Sequence, residues 1–270
     1  CYCYTPMRYA WDLRDQYLQQ TGLDHGLRGW VAGRVLDRLQ AWDRETSGRV
    51  DDFIAISRYV ADRIRRCYGR DSTVIHPPVA IDPVDAAPVR GSTYVTVSQL
   101  VPYKRVDLIV EAFRHLPDRE LVVIGEGPER PRIEAIAGPN TRMLGHLPDH
   151  ARDQWLAKAR AFVFAADEDF GIAPLEAQAR GTPVIALARG GALETVRGLD
   201  APAPTGVLFP EQTADAIVAA VRELEANRGR IDSAACMANA HRFEPGRFRR
   251  ELRDFVDMRW AEFASRKAAQ

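Results

Sequence analysis

Apolar residues recur at helical spacing over residues 11–18 and again over 30–42, where Trp30, Val31, Val35, Leu39 and Trp42 follow one another at the steps of a helix. Both stretches predict helices. Phe53-Ile54-Ala55-Ile56 is a short apolar run and predicts a buried strand. Ser57 is placed to cap a helix running to about Tyr68, with Gly69 to stop it, and Thr73-Val74-Ile75 reads as a second strand ended by His76-Pro77-Pro78. Pro77, Pro78, Pro83, Pro88 and Gly91 punctuate residues 77–92, the best linker in the chain. Beyond it the texture is regular. Short apolar runs at 94–97, 121–124, 142–144, 161–164, 183–187 and 207–209 alternate with helical segments at about 104–116, 129–137, 149–160, 174–180, 191–198 and 213–227. This predicts an α/β fold with a parallel sheet covered on both faces, and it directs attention to the loops beyond the C-terminal strand ends, where such sheets bind ligands. A last amphipathic helix follows Pro245, over 243–263.

Charge prunes the partners. The 270 residues carry 37 basic and 37 acidic side chains, a net charge of zero, which argues against nucleic acid held by bulk positive charge. Only three of the 37 basic residues are lysines, Lys104, Lys158 and Lys267. No run of 18 apolar residues occurs. Cys1, Cys3, Cys67 and Cys236 have no CxxC spacing, so neither a zinc site nor a disulfide framework is expected, and a reducing, cytoplasmic setting fits. The chain opens Cys1-Tyr2-Cys3-Tyr4-Thr5-Pro6, without Met, as if in mid-strand; the expectation is that a first segment is missing.

Four strand-exit loops carry candidate chemistry. After 161–164 comes Asp167-Glu168-Asp169-Phe170-Gly171-Ile172-Ala173-Pro174-Leu175-Glu176. Pro174 suits a first helical turn and would put Glu176 on that turn, while Gly171 permits close backbone approach and a helix start favours an anion. Two carboxylates flanking a helix start can grip a sugar nucleotide; on spacing alone, a capping Glu176 with solvated Glu168 and Asp169 explains the pattern equally. After 94–97 comes Ser98-Gln99-Leu100-Val101-Pro102-Tyr103-Lys104-Arg105, where an ammonium and a guanidinium together suit a diphosphate, or else form a surface pair with Asp107 or Glu111. Gly125-Glu126-Gly127-Pro128 has two glycines but lacks the third of a dinucleotide fingerprint. Arg189-Gly190-Gly191 enters a helix, either to present N–H groups to a phosphate or as a plain tight turn. There is no GxxxxGK[ST], HExxH or GxSxG motif, and Asp169-Phe170-Gly171 is not accompanied by a kinase catalytic loop.

In order, Leu100-Val101-Pro102-Tyr103-Lys104, Gly125-Glu126-Gly127-Pro128, Leu144-Gly145-His146, Glu168-Asp169-Phe170-Gly171 with Glu176, and Gly190-Gly191 resemble the donor-binding half of retaining glycosyltransferases of the GT-B fold. The pattern is most similar to the family 4-like bacterial mannosyltransferases that build O-antigen and exopolysaccharide. Thr5-Pro6-Met7-Arg8-Tyr9 and His76-Pro77-Pro78-Val79 are similar to the rear of that family's first domain. The resemblance implies two Rossmann-like domains with a cleft between them: residues 1–85 as the rear part of an incomplete N-terminal acceptor domain, 86–93 as linker, 94–243 as the nucleotide-sugar donor domain and 244–270 as a helix crossing back.

It further implies Lys104 and Glu168 as catalytic residues, Lys104 neutralising the diphosphate and Glu168 holding the donor sugar with the 169–172 backbone. Gln99, Arg105, Gly125, Gly127, Gly145, His146, Asp169, Phe170, Gly171, Ile172, Glu176 and Gly191 are implied as donor-binding, with Glu176 on the ribose and His146 near the base. No metal and no cofactor beyond the nucleotide sugar, GDP-mannose in the first instance, is expected. The resemblance implies a saccharide or lipid-linked acceptor, and a lipid-linked one would bring peripheral contact with the inner face of the membrane. Gln99 stands where the family carries an arginine, and Tyr4 where it carries a histidine. The competing expectation is a degenerate module that binds a nucleotide sugar without transfer.

Overall fold

The computed structural model describes residues 1–80 and 90–268. The chain separates into two compact units, Cys1–His76 and Pro77–Gln270. Of the expected linker over 86–93, residues 86–89 lie outside the described residues.

In the first unit, β1 (Tyr2–Cys3), β2 (Ile54–Ala55) and β3 (Thr73–Val74) form a parallel sheet in the order β1-β2-β3. Helices α1 (Arg14–Gln20) and α2 (Gly26–Ser47) precede β2, and α3 (Arg58–Tyr68) joins β2 to β3. Helix α3 starts and stops as its sequence dictates. The Ser57 hydroxyl accepts the Val60 N–H at 3.0 Å, and Gly69 ends the helix in the left-handed conformation, φ 66°. The apolar positions of α2 do form a helix, but Trp30, Val31, Val35 and Trp42 face outward, and only Leu36 and Ser47 of α2 are buried.

A buried guanidinium organises the turn after β1. Arg63, 2% exposed, donates to the Asp12 carboxylate at 2.5 Å and to the Thr5 hydroxyl at 2.6 Å, while Arg66 reaches the other Asp12 oxygen at 2.7 Å. Burial pushes the Asp12 carboxyl upward, but the two guanidiniums outweigh it and hold it below the ordinary carboxylate range.

In the second unit, β4 (Tyr94–Val97), β5 (Leu121–Ile124), β6 (Thr141–Gly145), β7 (Ala161–Phe164), β8 (Val184–Leu187) and β9 (Gly206–Phe209) form one sheet in the order β6-β5-β4-β7-β8-β9, every neighbouring pair parallel. Between them lie α4 (Val106–Arg114), α5 (Arg130–Ile136), α6 (Asp149–Lys158), α7 (Ile172–Ala179) and α8 (Ala192–Thr195), followed by α9 (Ala214–Ala226), α10 (Ser233–His241) and α11 (Pro245–Ala268). Alternate strand residues feed two cores. Tyr94, Val123, Val163, Ile185 and Val207 pack with α4 and α9, and Val95, Val122, Phe162, Val184 and Ala186 pack with α6, α7 and α8. Burial on both faces explains the nearly continuous apolar strands, each fully buried Val, Ile or Phe contributing roughly 1.5–3 kcal/mol. Among the described residues no helix is long and apolar enough to cross a membrane.

Asp12→Asn removes the carboxylate that neutralises Arg63, and the expected loss is about 3 kcal/mol at pH 7, the low end for breaking a buried pair. Because the folded carboxyl titrates below its unfolded value of about 3.9, its contribution is complete above that pH and is lost as the pH falls below it. Urea unfolding followed by circular dichroism should therefore show the wild type and Asp12→Asn converging in acid; a gap that is constant with pH would refute the assignment.

Candidate functional site

Strand order reverses between β4 and β7: the chain leaving β4 proceeds to β5 on one side, and that leaving β7 proceeds to β8 on the other. The loops beyond these two strands therefore part, and the crevice so formed is where a doubly wound sheet takes its ligand. These are the loops of Lys104 and Glu168.

The two side chains meet. Lys104 Nζ forms an ion pair with Glu168 Oε1, and each side chain is about four-fifths buried (19% and 17% exposed). Lys104 ends a single 3-10 turn, Pro102–Lys104, and its ammonium lies 5.3 Å from the Tyr103 ring centre. Arg105 follows with φ 53°, the one non-glycine residue at positive φ among the described residues. Such a backbone costs on the order of 1–3 kcal/mol. Its guanidinium sits 3.3 Å from Asp107 Oδ1 and 3.3 Å from Gln212 Oε1, and Gln212 in turn donates to the Ala165 carbonyl at 2.8 Å. Arg105 thus ties the loop after β4 to the end of β7.

The 168–172 loop is clamped rather than hydrogen-bonded into a regular element. Gly171, φ 86°, is the N-cap of α7, so no side chain covers the first N–H groups of that helix, beginning with exposed Ile172. Helix α7 starts at Ile172, two residues before Pro174; Glu176 is its fifth residue and falls on the second turn rather than the first. On the other side of the loop, Gly191 N–H donates to the Glu168 carbonyl at 2.7 Å. A Cβ at Gly191 would collide with the Phe170 backbone. Asp169 is half-buried and Phe170 buried.

Gly125 and Gly127 bring two loop backbones together. A Cβ at Gly125 would collide with the Ser98 carbonyl and one at Gly127 with Leu100, so both let the β5 exit lie against the loop after β4. Leu100 N–H donates to Glu126 at 2.9 Å and Gly125 N–H to Gly145 at 2.8 Å, locking the three loop ends together. A cavity of about 360 Å³ opens there, lined among others by Gln99, Gly125, Glu126, His146, Asp149 and Arg152. Arg152 also approaches Glu176 Oε1 at 3.9 Å, and its charge is supported by Glu176, Asp153 and Asp149 against partial burial. The same Asp153 pairs with Arg180, which donates to the Glu176 carbonyl at 3.0 Å.

The structure thus joins Lys104 to Glu168, Glu176 to Arg152, and Gln99, Gly125 and His146 around one cavity. Arg152, Asp153, Arg180 and Gln212 were not singled out in the sequence; the Asp149-Arg152-Asp153 spacing on a helical segment was the available signal. Among the described residues no group of three or more His, Cys, Asp or Glu is placed to hold a metal ion.

A profile of the family described as "Glycosyl transferases group 1" matches residues 81–243. The chain is 32% identical over 184 residues to the GDP-mannose-dependent monoacylated alpha-(1-6)-phosphatidylinositol monomannoside mannosyltransferase of Corynebacterium glutamicum, covering 57% of this chain and 48% of that protein. It is 30% identical over 230 residues to the GDP-mannose-dependent alpha-(1-6)-phosphatidylinositol monomannoside mannosyltransferase of Mycolicibacterium smegmatis, covering 74% of this chain and 58% of that one. Sucrose-phosphate synthase from Thermosynechococcus elongatus matches with a TM-score of 0.68 at 24% identity, over 79% of this chain and 59% of that one, a likeness that shows the fold, GT-B. The chain spans about half the length of the curated relatives it matches. With a match over more than half of its 270 residues, centred on the doubly wound unit that carries the Lys104–Glu168 crevice, the chain belongs to the glycosyl transferases group 1 family.

Proposed function

We propose that the protein transfers a hexose, mannose from GDP-mannose, to a saccharide or lipid-linked acceptor with retention at the anomeric carbon. The observation that carries this reading is the meeting of Lys104 and Glu168 at the reversal of strand order between β4 and β7. In it, Lys104 supplies a fixed positive charge to the diphosphate, Glu168 and the backbone of 169–172 accept and donate to sugar hydroxyls, and Glu176 accepts from the ribose diol. The cavity at Gln99 and His146 takes the base. Departure of the diphosphate leaves positive charge at the anomeric carbon and puts negative charge on phosphate oxygen. A preorganised ammonium and the N-terminus of α7 stabilise that developing anion. GDP-mannose is supported by the two relatives named above, each described as dependent on it.

Titration of the 270-residue chain with GDP-mannose should give binding that Lys104→Ala and Glu176→Gln each weaken about tenfold, roughly 1.4 kcal/mol. Unchanged affinity in both variants would overturn the site assignment, and tight binding with no turnover on any acceptor would favour the binding-only module. Proton NMR of the first product should show an α-linked mannose from the α-linked donor; a β-linkage would refute retention.

Peripheral contact with the inner face of the membrane belongs to the same proposal and is supported by α2. Trp30, Val31, Val35 and Trp42 stand exposed on it beside Arg34 and Arg38, an apolar, aromatic and basic combination suited to an anionic bilayer surface. Co-sedimentation with phosphatidylglycerol vesicles should fall at least fivefold for the Trp30→Ala, Trp42→Ala double variant and should weaken in high salt. Equal binding by wild type and double variant would remove α2 from the contact.

A further inference from the structure

Phe243 lies just beyond α10 and touches Phe170 of the 168–172 loop. It is 1% exposed, and its ring meets the Phe170 ring edge-to-face, centroids 5.5 Å apart at 68°. The Arg242 and Arg247 guanidiniums stand 5.3 and 5.9 Å from the same ring. The Phe243 carbonyl accepts the Val79 N–H at 2.9 Å, three residues into the second unit. Helix α10, which sets the position of Phe243, is bolted to the site helices by a buried polar network. Asn239 donates to Gln178 Oε1 on α7 at 2.7 Å and to the Thr195 carbonyl of α8 at 2.8 Å, and Gln178 donates to the same carbonyl at 2.9 Å. The loop itself has no strand or helix until Ile172, and both the Gly191 backbone and the Phe243 ring pack against its Phe170.

We infer that Phe243 is a positioning residue for the donor site, acting through Phe170 to hold Glu168 against Lys104 and tying that loop to the chain at Val79. The inference rests on the proposed donor-binding function but predicts an effect that is measurable without donor. The Gly191 amide, bonded to the Glu168 carbonyl, reports whether the loop is clamped. In Phe243→Leu, hydrogen exchange at Gly191 in the ligand-free chain should accelerate at least tenfold, and the Kd for GDP-mannose should rise at least fivefold. Phe113→Leu, which trims an equally buried ring on α4 packed against Tyr94, should leave both unchanged. By linkage, saturating wild type with GDP-mannose should slow exchange at Val79, and Phe243→Leu should abolish that slowing. Should Phe243→Leu fail to fold, Phe170→Leu removes the other ring of the same contact and should reproduce the Gly191 acceleration. If wild type binds GDP-mannose but Phe243→Leu and Phe113→Leu behave alike at Gly191 and in affinity, the inference is overturned and the donor reading stands. If wild type binds no nucleotide sugar while Gly191 accelerates in Phe243→Leu alone, the donor reading fails and the clamp stands.

Discussion

The reversal of strand order between β4 and β7 is the constraint on which the rest of the second unit depends. In an all-parallel sheet every strand exits at the same edge, so loops separated by some twenty residues in sequence gather along one rim. Lys104 beyond β4, Gly125 beyond β5, His146 beyond β6, Glu168 beyond β7 and Gly191 beyond β8 are neighbours for that reason alone. At most of the rim adjacent loops pack together, as the glycine contacts of Gly125 on Ser98 and of Gly191 on Phe170 require. Where the connections diverge, between β4 and β7, the side chains of two loops reach each other directly, and a cavity opens beside them at Gln99, Gly125 and His146.

What they form is an ion pair with little exposure, and an unpaired charge in such a place costs several kcal/mol. Lys104 and Glu168 neutralise one another. In the proposed reaction the donor must supply both with new partners: its diphosphate to the ammonium and its sugar hydroxyls to the carboxylate. A bare phosphate would satisfy Lys104 and leave Glu168 stranded. In the proposed function the pair would thus weight the site toward ligands in which an anion and a polyol are joined, a form of selection by the cost of incomplete exchange.

How much of this could be read in the sequence follows from what each feature depends on. Strands β4, β5 and β7 match the apolar runs at 94–97, 121–124 and 161–164 because burial on both faces leaves an unbroken apolar signature. Helix α10 escaped notice: Ser233 to His241 is a string of small residues whose helix is stabilised by burying Cys236, Asn239 and Ala240, a tertiary fact with no periodic trace. The candidate loops were legible as loops, but the Lys104–Glu168 contact joins residues 64 apart and needed the strand order to appear. Gly125 and Gly127 are legible as positions of close backbone approach, but that the loop after β4 is what approaches, and that Gly125 also lines the cavity beside Gln99 and His146, needs the fold. On sequence alone the Lys104-Arg105 loop suits either a diphosphate or a surface pair with Asp107; the structure pairs Arg105 with Asp107, as sequence proximity allows, and with Gln212, which only the fold brings near.

The scarcity of lysine gains a structural meaning from these tethers. Arginine recurs where the fold must be pinned at several points at once. Arg63 spans Asp12 and Thr5, Arg180 spans Asp153 and the Glu176 carbonyl, and Arg90 reaches Thr182 and Ser233 at 2.8 Å and the Ala159 carbonyl at 3.2 Å. A planar fork with five donors suits that task and resists rearrangement once its geometry is met. Under the proposed donor-binding role, the position facing Glu168 has the opposite requirement. An arginine there would form a two-pronged pair with the carboxylate, and releasing it would mean breaking both hydrogen bonds in a poorly hydrated crevice. A lysine makes one flexible contact through a compact ammonium, so it can pass from carboxylate to phosphate by torsion of its own stem. In the proposed reaction, Lys104 is therefore the residue type expected where a charge is held by a carboxylate and then passed to a diphosphate.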